Sequence, residues 1–106
     1  MDSRFSVVCD NNVVKVELIG RLDATNSEAL QNEIKQHAGK GATKLVFIAK
    51  DLEYISSAGL RVIIFAKQKI GVDAHIFMIA AGPAILNVIK MSGLDNFMTL
   101  QDSWTE

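Results

Sequence analysis

Apolar residues recur along this chain with two different periods, and the switches between them mark out its elements. Phe5, Val7 and Cys9 alternate with polar or smaller neighbours, and Val14, Val16 and Leu18 alternate with Lys15 and Glu17. That is the two-residue period of a strand with one buried face. Asn11-Asn12 between them is a turn signal, so the pair predicts an antiparallel hairpin at a sheet edge. Gly20-Arg21-Leu22-Asp23 ends the second strand. Thr25 followed by Glu28 has the form of a capping box, in which each side chain satisfies an orphan N–H at a helix start. Leu30, Ile34 and Ala38 repeat at four-residue spacing behind it, and Gly39-Lys40-Gly41 stops this first helix.

The unbroken run Leu45-Val46-Phe47-Ile48-Ala49 within positions 44–49 predicts a central strand covered by helices on both faces. A loop over 50–54 follows, with Tyr54 and Ile55 wholly or partly exposed. Ser56-Ser57-Ala58-Gly59 then leads into positions 60–70. There the β-branched Val62, Ile63 and Ile64 admit a strand, but the length of the segment decides for a helix. Leu60, Ile63 and Ile64, with Val62, Phe65, Ala66 and Ile70, cover a broad helical face, Lys67 and Lys69 sit in the last turn, and Gly71 ends it. Positions 74–80 form another short apolar strand. Gly82-Pro83 opens a third helix with Pro83 at its first position, where a missing N–H costs nothing, and Ser92-Gly93 closes it. Positions 97–100 predict a last strand, and Trp104 packs down the tail over 101–106.

The resulting order is β-β-α-β-α-β-α-β. Strands separated by helices usually pair in parallel through right-handed crossovers. The expectation is an α/β domain with a mixed, mostly parallel sheet of about five strands and helices packed against it. At 106 residues the chain fits one domain, 1–106, and 49% hydrophobic residues suffice for a core without disulfides or metal.

Charge narrows the range of partners. A formal net charge of −1 leaves no basic excess for nucleic acid or an anionic membrane. Cys9 is the only cysteine, which fits a reducing compartment. The polar start Met1-Asp2-Ser3-Arg4 has no signal-peptide pattern, and no apolar run approaches the ~20 residues of a membrane span. A cytoplasmic protein with no direct membrane insertion is expected.

Candidate chemistry is sparse. His37 and His75 lie in no ligand pattern, so neither a metal nor a cofactor is expected. Gly39-Lys40-Gly41-Ala42-Thr43-Lys44 precedes a strand, whereas a phosphate loop follows one and opens a helix. Ser57-Ala58-Gly59 supplies half of a nucleophile elbow, but Ile55 stands where its first glycine belongs, and a serine without an activating base is a weak nucleophile. The chain therefore reads as a binding module and not as an enzyme.

That leaves the Ser56-Ser57 pair. A serine just before a helix is ordinarily an N-cap. Here two serines stand where one suffices, and the small Ala58 and Gly59 leave the helix start sterically open. The free N–H groups and partial positive charge of a helix start also stabilise a phosphoryl group, with Arg61 one turn on to help hold it. The residues alone leave both readings open.

Gly20-Arg21-Leu22-Asp23, the apolar strand after it, the segment from Leu52-Glu53-Tyr54-Ile55 through Ser56-Ser57-Ala58-Gly59 to Leu60-Arg61-Val62-Ile63, and Ser92-Gly93-Leu94 together resemble the STAS family, specifically its stand-alone anti-sigma factor antagonists. The resemblance covers nearly the whole chain and implies a partner-switching cycle. An antagonist of this kind binds an anti-sigma factor that is also a serine kinase of the histidine-kinase-like ATPase fold. It is released when that kinase phosphorylates it, and a PP2C-type phosphatase restores it. Carried onto this chain, the phosphoacceptor is Ser57, with Ser56 as the alternative. The implied partner surface comprises Asp23, Thr25, Tyr54, Ser56, Ser57, Ala58, Gly59 and Arg61. The chain departs from the family pattern at Ser56, where many members carry Asp, at Ala58, where many carry Ser or Thr, and at Ile48, where an acidic residue is frequent. The alternative role is that of an unphosphorylated STAS subunit in a larger signalling or membrane-transport assembly.

Overall fold

The computed structural model describes residues 3–38, 42–70 and 74–103. They form β1 (Arg4–Asp10), β2 (Val13–Leu22), α1 (Ser27–Ala38), β3 (Lys44–Ile55), α2 (Ser57–Ile70), β4 (His75–Ile79), α3 (Pro83–Met91), a 3-10 turn (Leu94–Phe97) and β5 (Thr99–Gln101). The element order is the predicted one. Asn11 and Asn12 take φ values of 52° and 66°, the left-handed two-residue turn whose twist matches a hairpin, and β1 pairs antiparallel with β2 at the sheet edge.

The strands lie side by side in chain order, β1-β2-β3-β4-β5, and every pair after the first is parallel. Adding parallel strands in one direction through crossovers of one hand puts every intervening helix on the same face. The packing follows. Leu30 and Ile34 of α1, Val62, Ile63 and Ala66 of α2, and Ile85 and Ile89 of α3 share one core with Val14, Val16, Leu45, Phe47, Ile76 and Met78. The opposite face carries a smaller cluster of Val13, Val46 and Ile79, flanked by Ile48 and Phe77, with no helix residue in it among the described residues. The expectation of helices on both faces of β3 is thus corrected: on the outward face Val46 is buried among strand neighbours and Ile48 is partly buried.

Other boundaries differ for physical reasons. β3 does not stop at position 49. It runs on to Ile55 because β2 keeps pairing with it, with Leu52 and Ile55 buried and the polar residues between them exposed. Ile55 is 4% exposed and belongs to the core, contrary to the exposed loop expected there. α2 begins at Ser57, and the last strand is only Thr99–Gln101, preceded by the 3-10 turn. Pro83 does occupy the first turn of α3, and Ser92 caps its end ahead of Gly93. The expected helix stops at Gly39-Lys40-Gly41 and Gly71, and the packing of Trp104, lie outside the described residues.

Candidate functional site

Three segments meet where β2 and β3 end: the β2–α1 loop from Arg21 to Asn26, the end of β3 at Tyr54, and the first turn of α2. Gly20 makes the meeting possible. Its φ of 81° lies in the left-handed region, and the β2–β3 register shifts immediately after it, so that Arg21 comes opposite Tyr54 and Leu22 opposite Ile55. The Ser56 N–H then donates to the Leu22 carbonyl at 2.9 Å, tying the start of α2 to the end of β2. Gly59 fits beneath that joint. A Cβ there would stand 2.8 Å from both the Leu22 carbonyl oxygen and Ile55 Cγ1. The residue is buried, so its small size serves contact inside the domain, whereas the sequence reading assigned it to an open outer surface.

The two serines have different surroundings. Ser56 is the N-cap: its carbonyl accepts the Leu60 N–H at 2.9 Å and its hydroxyl accepts the Gly59 N–H at 3.3 Å. Ser57, the first helical residue, is exposed, and its hydroxyl has no hydrogen-bond partner among the described residues. The first turn of α2 contains no acidic side chain, so the positive end of the helix is uncompensated from within. Arg61 is exposed one turn on, at the i+4 position that shares a helix face with Ser57.

The Asp23 loop is built around its own carboxylate. The expected capping box between Thr25 and Glu28 does not form. The Thr25 N–H and hydroxyl both donate to Asp23 Oδ1, at 3.0 and 2.5 Å, and α1 starts two residues later at Ser27. Asn26 closes the loop from the other side. It accepts the Asp23 N–H through Oδ1 at 3.0 Å and donates through Nδ2 to the Arg21 carbonyl at 2.8 Å. The buried Ser27 hydroxyl donates to the Asp23 carbonyl. The Thr25 hydroxyl and then the Thr25 N–H, with a smaller contribution from Arg21, hold the Asp23 carboxyl below its ordinary pKa. The loop therefore presents a fixed negative charge one residue after Leu22, whose carbonyl is bonded to the start of α2.

Arg21 was not singled out by the sequence reading. Its Nε donates to Asp23 Oδ2 at 3.4 Å, and its guanidinium lies 4.2 Å from the centre of the Tyr54 ring. Tyr54 is 43% exposed, so this stacked pair stands at the surface where β3 ends, ahead of the first turn of α2. The signal that would have revealed it is the parallel register of β2 on β3, which no local pattern encodes.

Of the predicted site residues, Asp23, Thr25, Tyr54, Ser56, Ser57, Ala58 and Arg61 lie on or partly on the surface around these three segments, and Gly59 lies beneath. Among the described residues no cluster of three or more His, Cys, Asp or Glu side chains could hold a metal ion, and no helix is long and apolar enough to cross a membrane.

The chain matches known proteins along most of their length. The anti-sigma-F factor antagonist RsfB of Mycobacterium tuberculosis is 31% identical over 109 residues, covering 98% of this chain and 89% of RsfB. The crystal structure of an anti-sigma factor antagonist from Mycobacterium paratuberculosis superimposes with a TM-score of 0.83 at 24% identity, over 96% of this chain and 87% of that one. The phosphorylated form of the Bacillus cell fate determinant SpoIIAA superimposes with a TM-score of 0.75 at 22% identity, over 97% of this chain and 93% of that one, a likeness of fold. A sequence profile of the STAS domain matches residues 4–106, nearly the whole chain, and on that match the chain belongs to the STAS domain family.

Proposed function

We propose that this protein is an anti-sigma factor antagonist that binds its anti-sigma factor through the Asp23 loop and the first turn of α2, and that phosphorylation of Ser57 releases it. The observation that carries this reading is the division between the two serines. Ser56 is committed to the helix cap, whereas the Ser57 hydroxyl is exposed and unbonded, as a phosphoacceptor must be. The name of RsfB supports the antagonist role, and the phosphorylated SpoIIAA structure shows that a domain of this fold accommodates a phosphoryl group.

Helix electrostatics make the switch workable. A phosphoryl group at the first helical position meets the positive end of α2 and lies on the face that bears Arg61, so the domain stays folded. The same group adds about −1.5 to −2 charge beside the Asp23 carboxylate. A partner surface that accepted one acidic group then faces two, and like charges at a desolvated contact cost several kcal/mol. The kinase is the anti-sigma factor itself, of the histidine-kinase-like ATPase fold. A PP2C-type phosphatase reverses the step, and the cycle runs on ATP in the cytoplasm.

Incubation with ATP and the cognate kinase tests this. One phosphate is expected on the parent and on Ser56→Ala, and none on Ser57→Ala. Ser57→Asp is expected to weaken the complex by at least about tenfold. Label that follows Ser56, or a Ser57→Asp protein that binds as tightly as the parent, would sink the proposal.

A further inference from the structure

About 15 Å along α2 from Ser57, ten residues of helix at ~1.5 Å each, the same helix walls a cleft that the switch does not use. Ile63 and Ile64 of α2 face Leu94, Phe97 and Met98 across an apolar hollow of about 220 Å³. A second, more polar hollow of about 290 Å³ adjoins it: it shares Lys67, Ile76, Phe97 and Met98 with the first and brings in the polar His75, Asn96 and Thr99. Lys67 stands at the seam. It is half-buried, and it has no ion-pair or hydrogen-bond partner among the described residues. The described lining of the two hollows contains no Asp or Glu. Ile64 at 44% exposure and Phe97 at 58% leave large apolar surfaces uncovered beside the apolar part.

An apolar compartment next to an unpaired ammonium is complementary to a molecule with an apolar body and one negative end. We propose that this cleft binds a small amphipathic monocarboxylate, its hydrocarbon part against Ile63, Ile64, Leu94 and Phe97 and its carboxylate on Lys67, with Asn96 and Thr99 as further hydrogen-bond donors. An apolar cavity of ~150 Å³ takes up benzene, so the apolar hollow accommodates a chain of about eight carbons or a substituted ring. The site lies apart from Ser57, and its occupation does not depend on whether Ser57 is phosphorylated.

Titration of the isotopically labelled protein with sodium octanoate, followed by amide chemical shifts, tests the site. Saturable shifts are expected at Ile64, Lys67, Phe97 and Met98, with a dissociation constant on the order of 1 mM or tighter. Lys67→Glu, which alters a half-exposed side chain and leaves the spectrum that of a folded protein, is expected to weaken octanoate binding about fivefold or more. The uncharged 1-octanol is expected to bind the parent weaker by a similar factor. Absence of saturable shifts up to ~10 mM, or shifts confined to other residues, overturns the proposal. So does equal binding of octanol and octanoate, which would identify the cleft as a plain apolar contact surface.

Discussion

Gly59 and Leu22 approach so closely that no side chain fits between them: a Cβ on Gly59 would lie 2.8 Å from the Leu22 carbonyl oxygen. That oxygen is backbone, and it also accepts the Ser56 N–H at 2.9 Å, so it cannot move without loosening the joint between β2 and α2. In an ordinary helix, Gly→Ala gains up to about 1 kcal/mol. Here overpacking, which costs about 1–3 kcal/mol, outweighs it. Gly59→Ala is expected to lower stability by about 1–2 kcal/mol, read as a lower urea midpoint with an unchanged m-value.

The two serines separate by stability as well as by chemistry. Ser56→Ala removes the hydroxyl that caps the Gly59 N–H and is expected to cost about 1 kcal/mol. Ser57→Ala removes a hydroxyl with no described partner and is expected to stay within about 0.5 kcal/mol of the parent. Thermal and urea unfolding of the two single variants provide the comparison. Equal losses would contradict the assignment of Ser56 as the cap.

Asp23 gives the domain an acid-sensitive loop. Its carboxyl sits below the ordinary value of 3.8 in the folded chain, chiefly through the Thr25 hydroxyl and N–H. A carboxyl depressed by folding contributes stability that is fully present above its unfolded pKa and is lost as pH falls through the lower folded value. The stability difference between the parent and Asp23→Asn is therefore expected to be constant near neutrality and to shrink as pH drops below about 4. A carboxyl-carbon NMR titration of Asp23 should show a midpoint below 3.8.

Arg21 and Tyr54 form an exposed cation–π pair. A double-mutant cycle with Arg21→Ala and Tyr54→Leu is expected to give a coupling of about 0.5–1 kcal/mol in stability. Arginine and tyrosine dominate the energetics of many protein contacts. If the pair belongs to the partner surface, each single variant weakens the anti-sigma factor complex by more than it destabilises the free domain.

The element order, the hairpin turn and the start of α3 were legible in the chain because each rests on neighbours in sequence: Asn11-Asn12 for the turn and Pro83 for the helix. The second half of β3 was not. Lys50, Asp51 and Glu53 read as loop, yet they lie on a strand whose pairing comes from β2, some thirty residues upstream. The Thr25–Glu28 spacing imitated a capping box, and Asp23 won because its carboxylate takes both Thr25 donors within a single turn. The division of labour between Ser56 and Ser57 was equally hidden. It depends on which serine reaches the Leu22 carbonyl, and that is set by the register of β2 on β3.

The strand order has a further consequence for what such a domain can recognise. Doubly wound sheets bind coenzymes in the crevice that opens where the strand order reverses and helices diverge to opposite faces. Here the order never reverses, so the carboxyl ends of the strands have no such crevice. What they offer instead is a closed rim, plugged by Leu22, Ile55 and Gly59, on which Asp23, Tyr54 and Ser57 stand outward. A rim of that shape suits the surface of another protein, and under the proposed switch a single phosphate added there would alter a broad area of contact at once.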